Sequence, residues 1–515
     1  MSTASRLISG SAASWVRIGI TLVSQLALVP IYLNFWHVEV YGVWLAIQAL
    51  VAIMTMIDMG HQTYLAYEFL RFGKSDSKEL SKYLWSGVVI GMAIGILQIL
   101  FILVIINTDT FPLLLGDSGS QQSSVIEEAG MVLLMQGGVW LVNASMGGLL
   151  VRALEAYGYF PRMAWWGVFV TFMQNIAPAI AVTLGAGLLT AGVVIAAASV
   201  VFNIPVFLDM FYLMRKEGIK FSKPSLKLGF KNFLRSVAIA GKLLLENARQ
   251  QGVRIVLAPL SGAAGLAAFS TMRTGSNVAL QGLNTITNPL MPDLMRFLHA
   301  REQLLTEAAF GTVWIVLVAL MAPAVVILQA FIEPLFFIWT QGQIPFDPVL
   351  FALLSLSVLI YAVVQPAMAV VLGNNLIRQQ LILSVLAAVT VIGGMIVLVP
   401  MIGIVGAGVA LLVGELVASA GYRSFAIQWL HQNSIIWPNR IFLRAVASVA
   451  IAALSMFGMI YFPSMKWGIF SVSMVLFLAN FWRFWNVLPI VLTQRAIHIL
   501  RNLPILNKMF TDSSK

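Results

Sequence analysis

Long apolar runs alternate along this chain with short polar connections. The runs lie near 11–35, 41–66, 83–107, 127–151, 163–186, 189–213, 237–259, 264–291, 308–332, 349–373, 380–400, 404–424, 441–462 and 467–491. Each is long enough to cross a bilayer, which takes about 20 apolar residues in helical form. Strands of a membrane barrel would be about ten residues long and alternate apolar with polar. These runs are longer and apolar throughout, and a helix satisfies its own backbone in lipid. The pattern therefore predicts an all-α, polytopic membrane protein of about 14 transmembrane helices.

The connections carry an asymmetry. With the N-terminus on the inner side, the inner loops and tails hold 24 of the 31 Lys and Arg, at 6, 71–82, 152–162, 215–235, 296–301, 378, 423–444 and 495–515. The outer loops hold only Lys466, and the rest lie inside spans. Basic residues stay on the side from which a membrane protein is inserted, so both termini are predicted to be cytoplasmic. The net charge of +11 fits inner loops meeting anionic lipid headgroups. No aromatic–basic interleaving points to nucleic acid. The absence of cysteine excludes disulfides, thiolate metal sites and a cysteine nucleophile. Only Arg6 precedes the first apolar run, which does not read as a cleaved signal.

The largest inner loop, 214–236, separates two sets of six spans. The expected organisation is an N-lobe over 1–213, a basic cytoplasmic loop over 214–236, a C-lobe over 237–424, and two further spans with a tail over 425–515. Six spans return the chain to its starting side, so a duplication would give two parallel six-helix bundles. Short matches agree: Glu68-Phe-Leu-Arg71-Phe72 ends the second span and Asp293-Leu-Met-Arg296-Phe297 the eighth. The same offset relates Arg17 to Lys242.

Candidate chemistry lies within the spans, where a charge costs about 2.5–3.5 kcal/mol on insertion scales. Lys242, Glu246 and Arg249 share one helix face by their spacing, widened by Gln250 and Arg254. Arg17, Thr21 and Ser24, with Gln25 beside them, repeat the pattern in the first span. Ser270, Arg273, Asn277, Gln281, Asn284 and Asn288 form a third stripe. A lipid-facing helix would not carry such lines, so they predict a central hydrated cavity. Five cations against the single Glu246 make it basic, suited to an anionic lipid-linked substrate held through phosphate. Lys242 and Arg483 also have a plainer reading, snorkelling to the inner surface. Glu415 in the twelfth span and Asp58 in the second are candidates, with Glu246, for proton or monovalent-cation coupling. Each has a structural alternative as a local partner or cap. The outer loops are short and the histidines (37, 61, 299, 431, 498) are isolated, so no catalytic constellation, metal site or cofactor is expected.

Tyr41-Gly42-Val43-Trp44 entering the second span, followed by Ile57-Asp58-Met59-Gly60, resembles the Wzx-type polysaccharide flippases of the multidrug/oligosaccharidyl-lipid/polysaccharide (MOP) exporter superfamily. Members often carry Leu-Gly just before this motif, where this chain reads Asn34-Phe35-Trp36-His37. The resemblance implies two bundles around a V-shaped cavity worked by alternating access. It implies a flippase moving an undecaprenyl-pyrophosphate-linked oligosaccharide to the outer leaflet of a bacterial cytoplasmic membrane, for O-antigen or another polysaccharide. Polymerase and chain-length proteins would be partners, beside membrane lipids. On that reading Arg17, Lys242, Arg249, Arg254, Arg273, Gln25, Asn277, Gln281 and Asn284 bind substrate. The alternatives are a lipid II flippase, a drug or cation exporter, which would want an acidic cavity, and a membrane polymerase or ligase, which would want a large catalytic outer loop.

Overall fold

The computed structural model describes residues 3–116, 123–247 and 252–494. Helix dominates, and no strand occurs among these residues. The helices are α1 (Thr3–Phe35), α2 (Val38–Phe72), α3 (Ser77–Ile106), α4 (Thr110–Leu114), α5 (Ser123–Trp140), α6 (Gly147–Leu154), α7 (Phe160–Thr183), α8 (Leu188–Val201), α9 (Ile204–Lys216), α10 (Leu226–Asn247), α11 (Val253–Ala300), α12 (Gln303–Val316), α13 (Ala322–Trp339), α14 (Pro348–Gly373), α15 (Ile377–Ile402), α16 (Ile404–Gln432), α17 (Asn439–Tyr461) and α18 (Lys466–Trp485).

Among the described residues, twelve helical runs are long and apolar enough to cross a membrane. One of them, Ser124–Thr183, is 60 residues long and breaks at Gly158, whose φ of 91° only glycine adopts without strain. It therefore supplies two crossings. The long α11 breaks likewise at Gly262, with φ 74°, and α10 precedes it. These breaks bring the run count to the about fourteen that hydropathy predicts. Large side chains left exposed on the helices, such as Leu97 and Val104 on α3, Val389 on α15, Leu454 on α17 and Leu478 on α18, are of the kind that hydrocarbon solvates. This is a multi-pass membrane protein.

The chain forms two compact units. The first comprises residues 1–274, 337–345 and 392–407. Within it α2 is the central helix, packed by α3, α5, α6 and α10, while α1 lies along α7. Leu65, Phe69, Leu80, Leu84, Leu149 and Leu213 form part of its buried core. The motif residues of α2 explain themselves here. Tyr32, Trp36, Tyr41 and Trp44 make one aromatic cluster, with Tyr32 and Trp36 stacked at 4.9 Å. The Trp36 indole donates to the Ala186 carbonyl at 2.8 Å. Gly42 faces the Ala263 carbonyl so closely that a Cβ would sit 2.0 Å from its oxygen.

The second unit comprises residues 275–336, 346–391 and 408–515. Its centre is α14, buried along nearly its whole length, with α12 and α17 against it. Trp314 packs edge to face with Phe310, Trp437 and Phe442, and Phe310 meets Trp437 at a tilt. The Trp314 indole donates to the Val363 carbonyl at 2.8 Å, so a large aromatic is buried without stranding its polar atom.

Candidate functional site: a polar cavity in the first unit

Inside the first unit the helices part around a cavity of about 460 Å³. Arg17 enters from α1, Gln62 from α2, Arg152 from α6, Trp166, Thr171 and Gln174 from α7, and Asn203 lies just before α9. Asn143 and Ala144 come from a π-helical stretch, Leu141–Met146, between α5 and α6. Such wide turns re-aim backbone groups and recur at functional sites. Here the Ala144 carbonyl accepts from the Gln62 amide at 3.0 Å. A second cavity of about 340 Å³ adjoins the first and shares Asn143, Ala144, Val170, Gln174 and Asn203 with it. Gln48, Gln136 and Ser199 add to its lining.

The amides are fixed by one another's surroundings. Asn143 donates to the Ser199 carbonyl at 2.9 Å and Gln174 to the Ser199 hydroxyl at 2.9 Å. Asn203 donates to the same carbonyl at 2.6 Å. Such anchoring keeps the polar faces turned inward. Arg152 pairs with Glu155 at 2.9 Å. Arg17 makes no ion pair among the described residues; its Nη1 lies 3.9 Å from where a Cβ would stand on Gly167 of α7. Arg17 and Arg152 against Glu155 leave the cavity with one net positive charge. The tryptophan of the wall is braced too: Asp209 accepts from the Trp166 indole at 2.8 Å and from Arg162 through both of its oxygens.

The predicted residues fall in several places. Arg17 lines the large cavity. Asp58 lies fully buried behind its wall, accepting from Gln62 at 2.9 Å and from the Ser145 hydroxyl at 3.1 Å. Arg254 sits within electrostatic reach of the Tyr41 hydroxyl, and the Arg273 guanidinium lies 5.9 Å from the Phe269 ring one turn back. Neither they nor Gln25 line these two cavities. Asn277, Gln281 and the buried Glu415 belong to the second unit. Arg249 and the side chains of Lys242, Glu246 and Asn284 lie outside the described residues. Sequence spacing does not single out Gln62, Asn143, Arg152, Gln174 and Asn203. They come from different helices with no common spacing. The one available signal is the presence of polar amides within apolar runs.

The described residues form a fold of helices, about fourteen crossings and a polar cavity within one bundle, and solved structures share it. The solved structures it matches are members of the MOP superfamily. The lipid II flippase MurJ, in its inward closed conformation, matches at 13% identity with a TM-score of 0.62, over 93% of this chain and 98% of that one. An inward-facing multidrug resistance MATE transporter matches at 13% identity with a TM-score of 0.59, over 81% and 98%. A MOP transporter from Pyrococcus furiosus, described as having a binding pocket of reverse polarity, matches at 14% with a TM-score of 0.50, over 83% and 96%. No family model and no curated protein matches the chain. What the chain shares with these proteins is the fold.

Proposed function

We propose that the protein is a flippase that carries a lipid-linked oligosaccharide, joined to its undecaprenyl carrier by pyrophosphate, from the inner to the outer leaflet of the bacterial cytoplasmic membrane by alternating access. The observation that carries this reading is Arg17, directed into a cavity of net positive charge lined with amides. Arginine holds phosphate oxygens through paired hydrogen bonds, and amides suit sugar hydroxyls. A cation exporter needs the opposite sign. The basic loops on one side, which favour cytoplasmic termini, and the resemblance of the Tyr41–Gly60 region support the polysaccharide pathway. The fold shared with MurJ keeps lipid II as the second reading.

Expression of Arg17→Ala in a strain lacking the protein tests the assignment. The expected result is at least tenfold less surface polysaccharide, with the lipid-linked unit accumulating in the inner leaflet and membrane insertion unchanged. Normal polysaccharide with Arg17→Ala would remove the anion-site reading. Rescue of a lipid II flippase mutant, with no effect on polysaccharide, would transfer the function to the peptidoglycan precursor.

A further inference from the structure

We propose that Asp58 is a proton-exchange site serving this transport cycle, in contact with the cavity through Gln62; the assignment to transport rests on the flippase reading, whereas the proton site itself does not. Asp58 is fully buried on α2, and its Oδ1 has no hydrogen-bond partner. Its Oδ2 takes both available donors, Gln62 Nε2 and Ser145 Oγ. The Trp140 indole N–H adds a weaker interaction with the carboxylate. No cation accompanies it among the described residues. An ionised carboxylate buried without a counter-charge costs several kcal/mol, so it needs a proton or a metal cation.

The surroundings favour the proton. A hard metal cation wants about six or more oxygen ligands, whereas this carboxylate is met by an amide N–H, an indole N–H and a hydroxyl. Among the described residues no three His, Cys, Asp or Glu side chains gather to hold a metal ion. The empty lone pairs of Oδ1 are where the proton binds.

Gln62 supplies the connection. Both of its amide hydrogens are used, one on Asp58 and one on the Ala144 carbonyl, and its side chain lines the large cavity. Gly148 on α6 makes the room: a Cβ there would stand 2.3 Å from Gln62 Oε1. Loading or unloading the proton changes the charge on the carboxylate that Gln62 donates to, and so the strength of a hydrogen bond whose donor side chain lines the cavity wall.

The other groups facing Asp58 do not titrate. Gly91 comes from α3, with a would-be Cβ 3.7 Å from Oδ1. Ser145 comes from the π-helical stretch, Trp140 from α5, and the backbone of Ala240 on α10 meets Gly60, two residues along α2 from Asp58. His61, buried on α2 itself, turns toward the Gly87 carbonyl at 3.3 Å and the Phe233 ring. Arg17, Arg152 and Glu155 belong to the cavity. Lys242 of α10 lies outside the described side chains.

Infrared difference spectra between acid and alkaline pH, on the whole protein in liposomes and without substrate, test the site directly. The expected result is a protonated-carboxyl band that titrates, is lost in Asp58→Asn, and does not respond to sodium. A band that survives Asp58→Asn and vanishes in Glu415→Gln overturns the proposal in favour of Glu415. A carboxylate that responds to sodium rather than pH overturns it in favour of a metal cation. Should Asp58→Asn fail to fold, Gln62→Leu decides on the same spectra. Losing a donor to Oδ2 shifts a band that belongs to Asp58, and an unmoved band refutes the assignment. Because no substrate is present, failure of the flippase reading leaves these spectra unchanged, so the two failures are distinguishable.

Discussion

Gly42 shows how a sequence motif acquires a physical reason. Tyr41 and Trp44 sit in the aromatic cluster, and Gly42 between them lets the α2 backbone approach the Ala263 carbonyl, which a Cβ would meet at 2.0 Å. The backbone there is itself pinned, since the Ala263 N–H donates to the Gly116 carbonyl at 3.1 Å. A side chain cannot be relieved by a rotamer change when its neighbour is main chain. Gly42→Val is therefore expected to cost about 1–3 kcal/mol by overpacking, read as a lower unfolding temperature in detergent. Gly19, whose would-be Cβ meets nothing within 4 Å, is the matched control, and Gly19→Ala is expected to leave the temperature unchanged. At this scale the sequence was legible where a residue type is expensive. Arg17 and Asp58 in apolar runs marked themselves by their cost in lipid, and both lie at or behind the cavity. Gln62, Asn143 and Gln174 cost less, share no period, and were silent until the helices carrying them were placed.

Helices are less forgiving of a charge-based reading. The basic segment 214–236 reads as a loop because of its lysines, yet from Leu226 onward it is α10. Gly229, Asn232 and Ser236 are buried while Lys227, Lys231 and Arg235 are exposed, the two faces of an amphipathic helix. Its buried face packs on α2 and α3; Ser225, just ahead of it, donates its backbone N–H to the Ser86 hydroxyl oxygen at 2.9 Å. The C-terminal end of α9 is fastened near the same end by Glu217, which accepts from Lys74 at 2.8 Å and from the Tyr159 hydroxyl at 2.6 Å. Those two bonds hold its carboxyl below the usual glutamate range. A depressed folded value means the contribution is full above the ordinary glutamate pKa and is lost as pH falls through the depressed one. Unfolding temperature is thus expected to drop on strong acidification, and Glu217→Gln to flatten that part of the profile. An identical acid limb in the variant would show that Glu217 is not the group responsible.

For the molecule as a whole, the basic loops, the long apolar runs and the interrupting glycines set the class and the number of crossings. How the polar stripes are partnered could not be read from spacing, because a helical stripe says which residues share a face and nothing of what that face meets. The proposed cycle has a consequence at this scale. An anionic headgroup moving outward and a proton returning inward on Asp58 both carry positive charge inward. A negative interior therefore favours both, by up to about 2.3 kcal/mol, or about fiftyfold in rate, for each full charge crossing 100 mV. The two contributions separate in liposomes loaded with lipid-linked substrate. Valinomycin with potassium collapses the potential and leaves the pH gradient, whereas nigericin with potassium collapses the pH gradient and leaves the potential. Each is expected to slow translocation in part, and both together to reduce it to the level of protein-free liposomes. Asp58→Asn, permanently neutral, is expected to lose the response to nigericin while keeping that to valinomycin, because the headgroup charge still crosses. Equal responses of the variant and the native chain to nigericin would mean that the proton travels by another residue, with Glu415 the first to examine.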